Sequence, residues 1–230
     1  TLLSMCDSCI GGKTGINHNE AKNQLALFSA PHQVIINPQF LKTLNRRKIN
    51  SGMGEILKLH ITGGKIFIDN YNKIVNNGRV ADFYDYKKLI FGSLFVKKAI
   101  VEKDEFELNI RKSLNYGHTI GHAIESLSGY KIPHGQAIVA GMLIVNEFIG
   151  SYENKILKKL LFELLDEDVI KEMRTIPLGK MEALLKKDKK TLSKIINLVV
   201  LKRLGDMVLK PLPLNKKLLA DIYKIIKGLF

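Results

Sequence analysis

Asn115-Tyr-Gly-His118-Thr-Ile-Gly-His122-Ala-Ile-Glu125-Ser-Leu-Ser-Gly129-Tyr-Lys-Ile-Pro133-His134-Gly-Gln136-Ala-Ile-Val-Ala-Gly-Met-Leu-Ile-Val-Asn-Glu-Phe-Ile149-Gly150 is the stretch that decides the fold. Thr119 to Leu127 reads as a helix stopped by Gly129, and Gln136 to Ile149 as a second helix closed by Gly150. Working outward, Met53, Ile56, Leu57, His60 and Ile61 fall on one helical face. Leu89 to Val101, Lys155 to Leu165 and Leu214 to Ile226 continue the helical period. Ile195 to Leu201 and Met207 to Leu209 flank Arg203-Leu-Gly-Asp206, the pattern of a small β-hairpin. Before Asn45 the signals are mixed: Val34 to Ile36 is a short β-branched run ended by Asn37-Pro38, a strand followed by a turn. The expected fold is mainly α, a helical domain over residues 46–230, with an α/β remnant over residues 1–45.

Length and composition narrow the function. The chain has 230 residues, 46% hydrophobic and 25% charged, enough for a substantial core and unlike a disordered segment. No apolar run reaches the length of a membrane-spanning helix; the best, Ile138 to Val145, meets Asn146 and Glu147. The net charge of +14 raises a nucleic-acid reading. The excess is spread along both halves without a basic arm, so an anionic small substrate fits equally well. The only cysteines, Cys6 and Cys9, have no second pair for a zinc knuckle, and two small buried side chains in a reducing cytoplasm are the expected state. The chain opens on Thr1 without a signal-peptide pattern and reads as the interior of a longer protein.

Two segments could carry chemistry. Gly11-Gly-Lys13-Thr-Gly15 lacks the leading glycine of a phosphate loop, since that position is Asp7. What survives is a glycine-rich turn that lets a ligand approach the backbone, with Lys13 as a point charge and Lys22-Asn23 close behind. In the second segment, His118 and His122 are spaced i,i+4 and share a helix face. Two neutral imidazoles at that spacing can bind one Zn²⁺, or one can bind while the other moves protons. Glu125, one turn further, could orient a ring, and His134 adds a third imidazole from the next element. Glu55, with Lys58 at i,i+3, is a candidate carboxylate ligand, although its apolar neighbours leave its direction undecided. Spacing alone points to a metal-dependent enzyme acting on an anionic substrate.

Taken in order, Thr1-Leu-Leu, Asp7-Ser-Cys-Ile-Gly-Gly-Lys13-Thr-Gly-Ile-Asn17, Lys22-Asn23, Gly54-Glu55-Ile-Leu-Lys58, Asp104-Glu-Phe-Glu107, Arg111, Asn115-Tyr-Gly-His118-Thr-Ile-Gly-His122-Ala-Ile-Glu125 and Pro133-His134-Gly135 resemble the 3-dehydroquinate synthase family. Asp188-Lys189-Lys190 extends the resemblance. It implies an NAD-dependent, zinc- or cobalt-dependent lyase that turns 3-deoxy-D-arabino-heptulosonate 7-phosphate into 3-dehydroquinate and phosphate, in the cytoplasm and as a homodimer. It implies no specific nucleic-acid partner and no membrane.

Carried over by position, Glu55, His118 and His134 would be the metal ligands and His122 an acid/base group instead. Glu107 would be a second proton acceptor, with Lys13 and Lys58 also catalytic. Asp7, Lys13, Asn23, Lys58, Lys97, Arg111, Asn115, His122 and one of Lys189 or Lys190 would line the substrate. Thr1, Lys13, Lys22, Phe40, Leu41, Lys42 and Thr43 would touch NAD. The family's glycine-rich nucleotide-binding half is expected to lie before Thr1, so this chain alone should bind NAD poorly. Cys9, Gln136 and Asn45 depart from the family's usual small residue, Glu and Pro. The rivals are a sister sugar-phosphate cyclase, a metal-dependent alcohol dehydrogenase of similar fold, and an inactive or polyanion-binding remnant.

Overall fold

Two helices buried on every side organise the chain in the computed structural model, which describes all residues except 19, 20, 151 and 188–194; the side chains of 17, 18, 21–24, 152–156, 186 and 187 also lie outside the description. After a π-helical turn at Ser4–Ser8, β1 (Lys13–His18) and β2 (Ala21–Phe28) form an antiparallel hairpin. A 3-10 turn at Pro38–Thr43 leads into α1 (Arg46–Gly63), α2 (Lys65–Ile74), a two-residue ladder of β3 (Val75–Asn76) with β4 (Arg79–Val80), and α3 (Phe83–Val101). A 3-10 turn at Ile110–Asn115 precedes α4 (His118–Leu127) and α5 (His134–Ile149). Then come α6 (Tyr152–Leu164), α7 (Glu167–Thr175), α8 (Met181–Lys187), the hairpin of β5 (Ile195–Arg203) with β6 (Asp206–Pro213), and α9 (Lys216–Leu229). The mainly helical expectation holds, and so does the hairpin near the C-terminus.

Local chemistry sets the element ends. Asn45 caps α1, its side chain accepting from Lys48 N at 3.0 Å, which gives the departure from Pro a structural role. Asp82 and Asn215 cap α3 and α9 in the same way. Gly150 closes α5 in the left-handed region. α5 is buried from Gly135 to Asn146 and α1 from Asn50 to Thr62. They cross where neither can carry a side chain. A Cβ on Gly54 would fall 2.9 Å from Val139 Cγ2, and one on Gly135 would fall 2.6 Å from the carbonyl carbon of Ser51. The remaining helices close over this pair to form the main core, with a small second cluster of Leu59, Val96 and Leu114 beside it.

Several sequence expectations change. Val34 to Ile36 is not a strand: it has no ladder partner among the described residues, and Ile35 is 81% exposed. A β-branched run supplies propensity only; a strand needs a neighbour to receive its hydrogen bonds. In place of that strand, residues 1–45 hold the β1–β2 hairpin, which begins at Lys13 immediately after the glycine turn. Gly11 and Gly12 make that turn at φ +100° and +66°. α3 begins six residues before Leu89, and α2, α7 and α8 are helices beyond those expected. Cys6 is buried, with its thiol directed at the carbonyls of Leu3 and Gly52. Burial raises the pKa of both thiols. No helix among the described residues is long and apolar enough to cross a membrane.

Candidate metal and substrate site

Glu55 sits on α1 one residue after the glycine that lets α5 approach, and this places its carboxylate beside the first residue of α5. It is fully buried. Its Oε1 faces Nε2 of His134 at 3.5 Å and Nε2 of His118 at 3.7 Å, and accepts no hydrogen bond of normal geometry, whereas Oε2 is taken by the Lys58 ammonium. A buried carboxylate oxygen without a hydrogen bond needs another partner. Ligands about 2.1 Å from a tetrahedral ion stand roughly 3.4 Å apart, so these two separations suit a bound metal better than a direct hydrogen bond. His118 opens α4 and His134 opens α5. The two helices pack closely because Gly121 and Gly141 lie at their contact.

His122, one turn along α4, completes the cluster, with ring centroids 5.2 Å from His118 and 5.6 Å from His134. Nitrogens of the three rings lie within 4.8 Å of one another, so geometry alone also permits a three-histidine site. Charge favours the set with Glu55, because a buried dication held only by neutral imidazoles keeps its full charge.

Four cations and three more carboxylates extend the site. Lys58 Nζ pairs with Glu55 Oε2 at 2.5 Å and approaches Asp7 Oδ2 at 3.5 Å. Lys97 Nζ, from α3, donates to Asp7 Oδ1 and to the Asp7 carbonyl, each at 2.5 Å. The result is a continuous line Glu55–Lys58–Asp7–Lys97 across three elements. Glu107 receives Lys13 and, at 2.5 Å, the side-chain amide of Asn115. It stands in the left-handed region at φ +60°, held there by Asp104. The Asp104 carboxylate accepts from the backbone N–H groups of Leu108, Asn109 and Arg111 at 2.8, 2.7 and 3.0 Å. Arg111 is buried, donates to the carbonyls of Gly11 (2.7 Å) and Glu105, and lies over the Phe28 ring. It therefore braces the glycine turn against the Glu107 loop.

The fields in the site push the groups apart. Burial would raise the Glu55 carboxyl, but Lys58 and then His134 hold it well below the ordinary range. Burial would lower Lys58, but Glu55 and Asp7 raise it. His118 is driven well down by burial and then by Lys58 and the neighbouring rings. Burial also opposes the charged form of His134, yet the carboxylates of Glu125 and Glu55 on either side of the ring outweigh it and raise it to about 9. Two imidazoles of opposite tendency beside one carboxylate mark a functional site more than a packed core.

The structure thus gathers Asp7, Lys13, Glu55, Lys58, Lys97, Glu107, Arg111, Asn115, His118, His122 and His134. It does not gather the Phe40–Thr43 segment with them. Leu41 is buried in the core, and Lys42 lies over Phe83 at the start of α3, roughly 20 Å along that helix from Lys97. The side chains of Lys22 and Asn23, and all of Lys189 and Lys190, lie outside the described residues. Sequence reasoning missed Ser51, whose Oγ accepts from Gly135 N at 3.0 Å and ties the α5 start to α1, and it gave Asp104 no role.

Comparison with known proteins gives the family. Residues 52–191 match the family model for the 3-dehydroquinate synthase C-terminal domain, and residues 1–51 match that for the N-terminal domain. The 3-dehydroquinate synthase of Pelagibacter ubique is 40% identical over 94% of this chain and 61% of its own length. That of Streptococcus mutans is 34% identical over 94% and 62%. The chain thus spans about three fifths of these curated relatives. Among solved structures, 2-deoxy-scyllo-inosose synthase complexed with carbaglucose-6-phosphate, NAD⁺ and Co²⁺ superposes with a TM-score of 0.81 over 99% of this chain and 65% of that one, at 22% identity. The 2-epi-5-epi-valiolone synthase of Streptomyces hygroscopicus, with NAD⁺ and Zn²⁺ bound, gives 0.75 over 100% and 64%, at 21% identity; both likenesses are of fold. With its domain models matched in order along the chain, this protein belongs to the 3-dehydroquinate synthase family.

Proposed function

We propose that the protein converts 3-deoxy-D-arabino-heptulosonate 7-phosphate to 3-dehydroquinate and phosphate. Residues 46–230 would form its metal- and substrate-binding helical domain, and residues 1–45 part of its nucleotide-binding side. The observation that carries the reading is the convergence of Glu55 Oε1 with the Nε2 atoms of His118 and His134 beside the buried Lys58.

The donor set fits a zinc or cobalt ion, one anionic oxygen and two imidazoles with room for further ligands. Such an ion, when bound, makes a substrate hydroxyl more acidic. NAD would supply the hydride acceptor. Thr1, Lys13, Phe40, Lys42 and Thr43 are exposed and suit a dinucleotide, Leu41 would contribute its backbone alone, and Lys22 completes the proposed set.

The chain's own residues do the rest. His122, beside both histidine ligands, moves the proton of the hydroxyl that is oxidised. Glu107, held by Lys13 and Asn115, is placed to accept a second proton. Lys58 and Lys97, oriented by Asp7, present ammonium groups to the carboxylate and phosphate of the substrate. Asn23, Arg111 and one of Lys189 or Lys190 complete the substrate lining. Oxidation acidifies the adjacent C–H, and the departing phosphate is itself a base for that proton. The reading extends to a cytoplasmic homodimer without a nucleic-acid or membrane partner.

The test is phosphate release from that substrate by the full-length protein. Release that needs both NAD and Zn²⁺ and yields dehydroquinate is expected, and His122→Ala should keep the metal and lose turnover. Zinc binding without release would refute the substrate assignment.

A further inference from the structure

His118 and His134 present the same atom, Nε2, to Glu55 Oε1, and in each ring the other nitrogen is already engaged. Nδ1 of His118 lies 3.1 Å from the carbonyl oxygen of Tyr116, and Nδ1 of His134 lies 3.2 Å from Oε2 of Glu125. A carbonyl and an ionised carboxylate only accept. Each neutral ring therefore carries its proton on Nδ1 and keeps the Nε2 lone pair for the site.

The two anchors differ in kind. That of His118 is backbone and fixed by the chain itself. That of His134 is a side chain reaching across a turn, from the last turn of α4 to the first residue of α5. The turn is tied to the same residue. The Glu125 carbonyl accepts from Tyr130 N and from Ser128 Oγ, each at 2.9 Å, and Ser128 Oγ in turn accepts from Ile132 N at 3.2 Å. Gly129 and Tyr130 enter the left-handed region to make this closure. Glu125 thus holds the turn through its backbone and the ring beyond the turn through its carboxylate.

We propose that Glu125 is the positioning residue of this centre: it sets the tautomer and orientation of His134, so that Nε2 faces Glu55. The proposal rests on the reading that Glu55, His118 and His134 hold the metal. Ligating histidines depend on such partners for affinity. Gln at this position keeps an acceptor oxygen for Nδ1–H and loses only the charge, whereas Ala loses the acceptor.

The experiment measures zinc affinity by competition with a chromophoric chelator, together with ¹⁵N NMR of the histidine rings in the zinc-free protein. Glu125→Ala is expected to weaken zinc by about 10- to 100-fold, and Glu125→Gln to recover all but a few-fold of that. Glu125→Ala binding zinc as tightly as the parent, or Glu125→Gln falling as far as Ala with an unchanged melting temperature, would overturn the proposal. The spectra, followed upward in pH until the ring nitrogens report neutral imidazoles, separate the two layers. A parent protein with His134 protonated on Nδ1 that nevertheless binds no zinc sinks the metal reading and leaves the positioning role standing. A ring protonated on Nε2 sinks the positioning role whatever the metal does.

Discussion

Gly135→Ala tests whether the close crossing of α1 and α5 builds the site. An added methyl would stand 2.6 Å from the carbonyl carbon of Ser51 and closer still to its oxygen. Carbon atoms in contact prefer about 3.5 Å or more, and these neighbours are backbone atoms, so no side chain can swing away. The helices must part by about 1 Å. Overpacking of this kind costs about 1–3 kcal/mol, and the better helix propensity of alanine returns about 1 kcal/mol at most. The middle of that cost less the full return leaves a net loss of about 1 kcal/mol, which at this chain length lowers the melting temperature by roughly 2–4 °C. The larger effect falls on the metal. Glu55 and His134 lie on opposite sides of the crossing, and sites of this kind tolerate about 0.5 Å of misplacement. Zinc affinity by chelator competition should therefore drop at least about tenfold, each decade being about 1.4 kcal/mol. Gly179→Ala, where an added Cβ meets nothing within 4 Å, is the control and should change neither quantity. A Gly135→Ala protein with the parent's melting temperature and zinc affinity would refute the reasoning.

Two further outcomes follow from groups around the site. His60 is buried against Phe67 and Tyr71, with Nδ1 2.8 Å from Ile56 O, and burial lowers its pKa from 6.5 to about 4. The unfolded chain takes up a proton near pH 6.5 and the folded one only near pH 4. The contribution of this ring is thus full above pH 6.5 and lost as pH falls towards 4. The stability advantage of the parent over His60→Gln should shrink by about 2 kcal/mol between pH 7 and pH 5 in urea unfolding; a constant difference would contradict this. Arg111→Lys cannot reach both the Gly11 and Glu105 carbonyls, and should cost about 1.5–3 kcal/mol of stability together with a raised KM for the phosphorylated substrate. An unchanged melting temperature would show that Arg111 does not brace the two loops.

The legible part of the fold lies where the apolar pattern is continuous. α5 announces itself because Ile138 to Val145 leaves no face for water, and α1 shows enough of a stripe to be placed. α7 lies outside the expected helices because its apolar stripe is short, with only Val169 and Met173 of its nine residues buried. Val34 to Ile36 misled for the opposite reason: it has a strand's composition without a strand's partner. In the site, the His118–His122 pair is readable from spacing because a helix converts i,i+4 into proximity, whereas His134 joins it only through the packing of α5 on α4. Glu55 is not readable from spacing. α1 is buried on every side, so periodicity carries no information about which way a carboxylate on it points. The Ser51–Gly135 and Glu125–His134 contacts depend on how helices cross and how one turn closes. Glu125 was recognised as able to orient a ring, but which ring is decided by Gly129 and Tyr130.

The central claim is that one carboxylate and two imidazoles form a single metal centre. Zinc stoichiometry by atomic absorption, after dialysis against trace Zn²⁺, tests it most directly in the parent, Glu55→Ala, His134→Ala and His122→Ala proteins. The account predicts one zinc per chain in the parent and in His122→Ala, and none in the other two. Zinc retained in Glu55→Ala but lost in His122→Ala would contradict it and assign the ion to the three histidines.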